Sequence, residues 1–236
     1  MNLSLEPQEQ TTVGRRIMGV LFYSPQAAFE DIGRQPRWLP PLAIVSITSF
    51  LCSLASLPKL KEFTLYTLEL QAQTMPELAD AAAMDIAVSG LVIFALIAGL
   101  FSPAIMCLLY AGLLKLFNLF AGEPAPFRQF FAITVYSYFP IIFAAVIATI
   151  MILMSPATHL EEVSTSLYLL FPPGSTGFSA NFARQIDPFL LWSLVLMALG
   201  SSVISRAQFK SYAIFLGVLW LLFAVGSAML GQGVSY

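Results

Sequence analysis

The chain has 236 residues, of which 58% are hydrophobic and only 10% are charged, and its formal net charge is −2. The mean hydropathy is +0.81. Soluble domains carry about 25% charged residues, so this composition excludes an ordinary soluble protein and indicates one whose apolar surface is covered by lipid. Acids and bases are nearly balanced and form no basic patch, so nothing indicates binding to nucleic acid.

Five apolar segments are long enough to cross about 30 Å of hydrocarbon, which takes roughly 20 helical residues. The sequence therefore predicts an all-α protein: a polytopic membrane bundle of five transmembrane helices with short amphipathic surface helices. It is expected to divide into a cytoplasmic N-terminal segment, 1–37, and a five-span membrane domain, 38–236. The predicted spans are about 38–57, 86–117, 127–154, 188–206 and 211–230.

Two short amphipathic helices are predicted ahead of the first span. The stretch 13–22 places two arginines among apolar residues, and Ser24-Pro25 is typical of an N-cap followed by the first helical residue. Phe29 and Ile32 form the apolar side of this second helix. We expect both helices to lie on the cytoplasmic face of the membrane.

The connection after span one, 58–85, has apolar side chains between Leu60 and Leu68 among polar residues, which predicts an interfacial helix. Thr74–Glu77 fits a capping box, so a further helix is expected to start there and to run into span two.

The second and third spans each contain a proline near the middle. Span two is longer than one membrane thickness, and Ser102-Pro103 in its middle predicts a single tilted helix with a kink. Pro140 predicts a second kink in span three. Because kinked helices free backbone carbonyls that can line a cavity, a cavity between these two spans would suit a permease or channel.

Spans four and five are predicted to form a tight antiparallel hairpin, because only Arg206–Lys210 separates them. Asp187-Pro188 is a natural N-cap and first helical residue for span four. Between spans three and four, 155–186 contains two short segments that we expect to cap the membrane surface.

The basic residues predict the orientation. With the N-terminus inside and the C-terminus outside, eight of the eleven basic residues fall in inside segments and only three fall outside. Excess basic charge on the cytoplasmic side is the signal that orients membrane helices. The inside set is Arg15, Arg16, Arg34, Arg37, Lys115, Arg128, Arg206 and Lys210.

The sequence offers no set of residues that would support catalysis or metal binding. His159 is the single histidine, and Glu161 and Glu162 beside it do not supply the further ligands that a closed metal site needs. No nucleophile–base pair can be assembled, so we expect neither an enzyme nor a cofactor. Ionisable residues are almost absent from the spans, which argues against a transporter with a carboxylate relay.

Hydroxyl side chains supply most of the polarity inside spans two to four. We interpret them as hydrogen bonds between helices; the alternative is a polar groove for a lipid headgroup or small solute. They are Tyr110, Thr134, Tyr136, Ser137, Tyr138, Ser193, Ser201, Ser202 and Ser205.

Three stretches of sequence resemble a known family. The first is 19–47, with a Ser-Pro-x-x-x-Phe motif and a short linker to Arg37, Trp38 and two prolines. The second is Tyr-Ser-Tyr-Phe-Pro at 136–140, and the third is Asp-Pro-Phe-Leu-Leu-Trp at 187–192. In this order they are similar to Yip-domain proteins, bacterial members in particular. The candidate functional residues are therefore Arg37, Trp38, Pro103, Tyr136, Ser137, Tyr138 and Pro140.

The resemblance implies five spans, with the N-terminus inside and the C-terminus outside, in the bacterial cytoplasmic membrane. Eukaryotic relatives associate with Rab-type GTPases and with each other. The Asp-Leu-x-Gly-Pro signature before their first span is absent here, so GTPase binding is not carried over. The resemblance implies a scaffold or adaptor protein. Its partners would be membrane lipids, further copies of the chain or other membrane proteins. The alternatives are the permease or channel described above and an enzyme acting on lipid within the membrane.

Overall fold

The structure is a computed structural model that describes residues 12–74 and 81–231. All regular elements in these ranges are helical. Residues Gly19–Tyr23 continue α1 as a turn of π-helix, and two short 3₁₀ segments, Ala157–Glu162 and Leu167–Leu170, precede α7. The α-helices are α1 Val13–Met18, α2 Pro25–Arg34, α3 Leu39–Thr74, α4 Ala81–Asn118, α5 Phe127–Ser137, α6 Phe139–Met154, α7 Phe178–Gln185, α8 Pro188–Ile204 and α9 Phe209–Leu230.

The prediction of an all-α membrane bundle is confirmed. Four helical segments of the described chain are long and apolar enough to cross a membrane: α3, α4, the α5–α6 pair and α9. A fifth span is obtained when α7 and α8, which meet at a bend of 50°, are counted together. Helix α8 has only 17 residues, or about 25 Å, and eight of them are buried.

Helix α3 does not end at Leu57, where the sequence suggested the end of span one. It continues through Pro58 to Thr74, so its 36 residues extend about 54 Å, well beyond one membrane thickness. An internal proline removes one backbone hydrogen bond, and here α4 lies alongside the helix and supports it past that point. The interfacial helix predicted after residue 58 is therefore wrong as a separate element. The predicted capping box at Thr74–Glu77 lies outside the described residues.

The other predicted helices agree closely with the structure. Helix α4 passes through Pro103 as one helix, and span three breaks at Tyr138, two residues before Pro140. The Asp187 carboxylate caps α8 by accepting hydrogen bonds from the backbone N–H groups of Phe189 and Leu190, at 2.8 and 3.2 Å. Helix α2 has Ser24 as its N-cap and starts at Pro25, as predicted, although the Ser24 hydroxyl makes no capping hydrogen bond.

The bundle is arranged around α5 and α8. Helices α3 and α4 pack along each other, α5–α6 lie between this pair and α8, and α2 and α9 flank α8. We call the end that contains Arg34, Asn118, Phe127, Ile204 and Phe209 the basal end. The opposite end, where α7 and the 3₁₀ segments lie, is the apical end.

The N-terminal helices fold into a hairpin that packs along α8. Gly19 on the first arm lies against Ala28 on the second, where a Cβ on the glycine would come within 3.1 Å of the alanine Cβ. Phe22 near the tip contacts Trp192 edge to face, with ring centroids 6.1 Å apart. At the base, a Cβ on Gly33 would come within 2.9 Å of Ile204. The hairpin therefore follows α8 over 12 residues, about 18 Å.

The predicted amphipathic character of α2 is confirmed. Phe29 and Ile32 are fully buried against the bundle, while Glu30 and Arg34 on the other side are exposed. A Cβ on Gly200 of α8 would come within 2.9 Å of the Phe29 ring, so the two helices are in close contact.

The break in span three is closed by a hydrogen bond from α8. At the break, the N–H groups of Ile141 and Ile142 both point to the Tyr138 carbonyl. The Ser137 carbonyl accepts a 2.6 Å hydrogen bond from the Ser193 hydroxyl instead. Both residues are fully buried, so without this bond the Ser137 carbonyl could not pair with water instead.

We predict that Ser193→Ala destabilises the protein by about 1–2 kcal/mol, because it leaves the buried Ser137 carbonyl unpaired. Unfolding in mixtures of mild detergent and sodium dodecyl sulfate, followed by far-UV circular dichroism, measures the change. Ser227→Ala is the matched control: its hydroxyl bonds to the Phe223 and Ala224 carbonyls of its own helix and to no other helix of the described chain, so it should have little effect.

A double-mutant cycle with Pro140→Ala separates this explanation from a simple packing loss. Alanine supplies the missing N–H and allows a continuous helix, in which the Ser137 carbonyl regains a backbone partner. The cost of Ser193→Ala should then fall by at least half. An equal cost in both backgrounds would show that the serine acts by packing alone.

Candidate functional site

A buried charged cluster holds the base of the N-terminal hairpin. The Arg16 Nε donates to Asp31 Oδ2 at 2.7 Å, and its Nη1 donates to the Gln35 carbonyl at 2.9 Å. The Arg16 side chain is 2% exposed and the Asp31 side chain 35%, so the pair is shielded on one side only. This pair joins the first arm of the hairpin to the end of α2 across 15 residues of sequence.

Three of the candidate residues lie together beside this cluster. The Tyr136 hydroxyl donates to the Arg37 carbonyl at 3.3 Å, and it also lies near the Arg16 guanidinium. Trp38 packs edge to face on Phe131, with ring centroids 5.2 Å apart. The linker between α2 and α3 is thus attached to span three through its backbone and through an aromatic contact.

The remaining candidates lie elsewhere. Ser137 and Pro140 are buried at the break in span three, and the Ser137 hydroxyl has no hydrogen-bond partner among the described residues. Tyr138 faces the opposite way from Tyr136, toward a recess beside Tyr110. Pro103 is buried within α4 and joins neither group. The structure therefore does not assemble the seven candidates into one site.

The predicted hydroxyl bonds are of two kinds. Thr134 donates to the Cys107 carbonyl at 3.1 Å, which ties α5 to α4, and Ser193 ties α8 to the break. Ser202 and Ser205 donate to carbonyls of their own helix instead.

An open polar groove of about 880 Å³ lies at the basal end. It lies between α2, the start of α5 and the turn from α8 to α9. The Gln129 side chain forms part of its wall and is held by a 2.8 Å bond to the Gly33 carbonyl. Its polar lining residues are Gln26, Glu30, Arg34, Gln129, Ser202 and Arg206.

Of these groove residues the sequence had drawn attention only to Ser202, as one of the hydroxyls in spans two to four. Three of them come from α2 and the others from α5, α8 and the following turn, so only the packing of the hairpin on α8 brings them together. The positive charge of Arg34 and Arg206 was visible in the sequence, but it was used only to predict the orientation of the helices.

Arg206 has an unusual backbone. Its φ of +48° is the single positive value for a residue other than glycine in the described chain. This conformation costs about 1–3 kcal/mol for a residue with a side chain, and glycine would adopt it freely. The ion pair from Arg206 to Glu123, at 3.2 Å, joins side chains that are 77% and 63% exposed. Such exposed pairs contribute at most about 1 kcal/mol to folding stability. Folding stability therefore does not explain why an arginine occupies this strained position.

A metal site is not formed by the acids near the single histidine. His159 Nδ1 lies 3.3 Å from Glu162 Oε1, in a pair one helical turn apart on the surface. No group of three or more His, Cys, Asp or Glu residues in the described part of the chain could hold a metal ion.

The long apolar helices, joined by buried polar links, define a polytopic α-helical integral membrane protein. The family model of the Yip1 domain matches residues 18–230, and the chain belongs to this family. Searches of curated proteins and of solved structures each found no match. The match starts at Met18, so it includes most of the hairpin. The predicted domain boundary at residue 37 stays a prediction.

We predict that Arg16→Ala destabilises the protein by about 3 kcal/mol, because it leaves Asp31 and the Gln35 carbonyl without their partner. The same detergent unfolding assay measures the loss. Arg15→Ala is the matched control, since Arg15 is exposed and adjacent in sequence. Limited proteolysis gives a second readout: residues 13–35 should become cleavable in the Arg16 variant, and equal resistance in both variants would contradict a locking role for the ion pair.

Proposed function

We propose that the protein is a non-enzymatic membrane adaptor that binds a partner protein, or a further copy of itself, at the basal groove. The observation that carries the proposal is the groove itself: it is large, polar and open to solvent at one end of an otherwise apolar bundle. A volume of about 880 Å³ lies within the range of known binding pockets, about 300–1,000 Å³.

The charge around the groove favours an acidic segment of the partner. The lining contains two arginines, Arg34 and Arg206, and one acidic residue, Glu30. Lys210, on the first turn of α9, and Arg128, on the first turn of α5, add positive charge to the same end. Complementary charge of this kind speeds association and selects the partner.

The orientation belongs to the same proposal. All eight basic residues that the charge count assigns to the inside lie on segments that meet at the basal end, so we propose that this end faces the cytoplasm. The groove would then be accessible to the cytoplasmic segments of other membrane proteins, in the bacterial cytoplasmic membrane that the resemblance to bacterial members implies.

The strained backbone at Arg206 supports a role for its side chain. The residue costs stability and its ion pair contributes little, so the benefit of the arginine lies outside folding. Backbone strain that the fold does not need is concentrated at functional sites. We propose that the Arg206 guanidinium contacts the acidic partner segment directly.

The permease alternative is less well supported by the geometry. A recess of about 270 Å³ does lie between α4, α6 and α8, lined by Tyr110 and Tyr138 among others. Toward the basal end, however, α4 and α5 are in contact where Thr134 bonds to the Cys107 carbonyl. The Phe117 and Phe215 rings, stacked 4.3 Å apart, close the gap between α4 and α9 at the same end. A continuous path for a solute would have to pass both contacts.

Site-specific photo-crosslinking tests the adaptor proposal. A photoreactive phenylalanine analogue at Phe209, which lines the groove and is 43% exposed, should give a discrete protein adduct in native membranes. The same analogue at Phe101, which is 55% exposed and lies within α4, is the matched control and should give lipid adducts only. Lipid adducts alone at both positions would contradict the proposal.

We further predict that Arg206→Gly reduces the Phe209 adduct at least fivefold, while the protein keeps its thermal stability because glycine adopts the positive φ freely. Arg206→Lys should retain most of the adduct, since it keeps the charge. Lys210→Ala removes one charge near the groove without touching its lining, and serves as control. Equal adduct yields from Arg206→Gly and the parent would exclude a direct role for the guanidinium.

A further inference from the structure

A second recess, separate from the basal groove, opens sideways between α4 and α9. Its walls are Met106, Leu109 and Leu113 on one side and Leu219 and Phe223 on the other. Leu190 and Leu194 of α8 form the back, and the volume is about 410 Å³. We refer to this recess, with its apical extension described next, as the lateral slot.

The slot continues toward the apical end. The recess of about 270 Å³ that contains Tyr138 shares Met106, Tyr110 and Leu190 with the larger one, so the two form one channel-like depression. Its lining reaches Asp187, which caps the apical end of α8 and accepts a hydrogen bond from the Thr165 hydroxyl. The apical end of the slot is therefore polar, while the rest is lined by apolar side chains.

The basal end of the slot is closed. Phe117 of α4 stacks on Phe215 of α9, and its ring also meets Tyr212 edge to face at 5.1 Å. Asn118 donates a 3.1 Å hydrogen bond to the Tyr212 hydroxyl just beyond these rings. An occupant can thus enter from the apical leaflet or from the side, and it ends against this aromatic floor.

The dimensions identify the kind of occupant. From Leu216 to Phe223 of α9 the larger recess extends over seven residues, or about 10 Å of helix. A volume of about 410 Å³ over that length gives a cross-section of about 40 Å². A helix at least 10 Å wide needs about 80 Å², so a whole helix cannot lie inside the recess. A single hydrocarbon chain is thinner than a helix, and the lipid around this surface supplies such chains.

We propose that the lateral slot is a binding site for one acyl chain of a bilayer phospholipid, inserted from the apical leaflet with the headgroup at the level of Asp187. The chain lies between α4 and α9 along α8 and fills a depression that neighbouring helices leave open. The wall is held in place from the apical side by Trp220, whose Nε1 donates to the Gln185 carbonyl at 3.2 Å.

Trp220 lines the slot and provides a direct probe. A variant with Trp38→Phe and Trp192→Phe keeps it as the single tryptophan, because the chain has three in all. This protein is reconstituted into vesicles of phosphatidylcholine with brominated acyl chains, then extracted and washed in a mild detergent. Bromine quenches indole fluorescence on contact, and washing removes lipid that merely surrounds the bundle.

After washing, we expect Trp220 emission to stay at least twofold below that of a sample prepared with unbrominated phosphatidylcholine. Leu113→Phe fills the slot from α4 and should restore the emission. Leu219→Phe fills it from α9 and should do the same, so a folding defect in one variant leaves the other as a test. Leu116→Phe is the matched control, since Leu116 lies on the same helix, is 60% exposed and does not line the slot.

Three results would overturn the proposal. Emission that recovers fully on washing would mean that Trp220 meets only exchangeable surrounding lipid. Quenching that persists equally in both filling variants would place the lipid elsewhere. Quenching by brominated stearic acid but not by the brominated phospholipid, in a parallel arm, would mean that the slot takes a free fatty acid. None of these outcomes bears on the basal groove, whose crosslinking test is independent.

Discussion

The hydrogen bond from the Ser193 hydroxyl to the Ser137 carbonyl is the link on which the centre of this bundle depends. Inside a membrane every backbone polar group needs a partner from the protein, so a broken span is tolerated only where a neighbour supplies one. Pro140 prevents span three from being a regular helix, and α8 supplies a donor to the Ser137 carbonyl at 2.6 Å. The break therefore fixes α8 against span three, and the other helices are arranged around these two.

The N-terminal hairpin is the second element that depends on α8. Gly200 allows the Phe29 ring to approach closely, and Gly33 allows the same at Ile204. The pair between Arg16 and Asp31 then holds the two arms together at the basal end, where one partner is still partly exposed. The sequence predicted that this segment lies on the membrane surface, but it packs as part of the bundle. It also completes the wall of the basal groove.

The two recesses differ in chemistry in a way that follows from their positions. The basal groove is made of helix ends and a turn, where backbone and charged side chains reach solvent, and it suits a polar protein segment. The lateral slot lies between apolar helix faces that diverge from the stacked rings of Phe117 and Phe215, and it suits hydrocarbon. One adaptor could use both, with a partner at one end and a lipid chain held beside α8.

The sequence by itself determined the membrane class, the helices and most of their ends, because hydropathy and proline or N-cap chemistry act over short stretches such as Asp187-Pro188. The family resemblance on its short motifs was also confirmed. Two kinds of feature needed the tertiary structure. Helix α3 continues past Pro58 because α4 supports it, which no local pattern encodes. The groove joins α2 to Arg206 across some 170 residues of sequence, and the slot exists because α4 and α9 meet at one end only. Such features arise from helix packing, and a local sequence pattern carries no information about which distant faces meet.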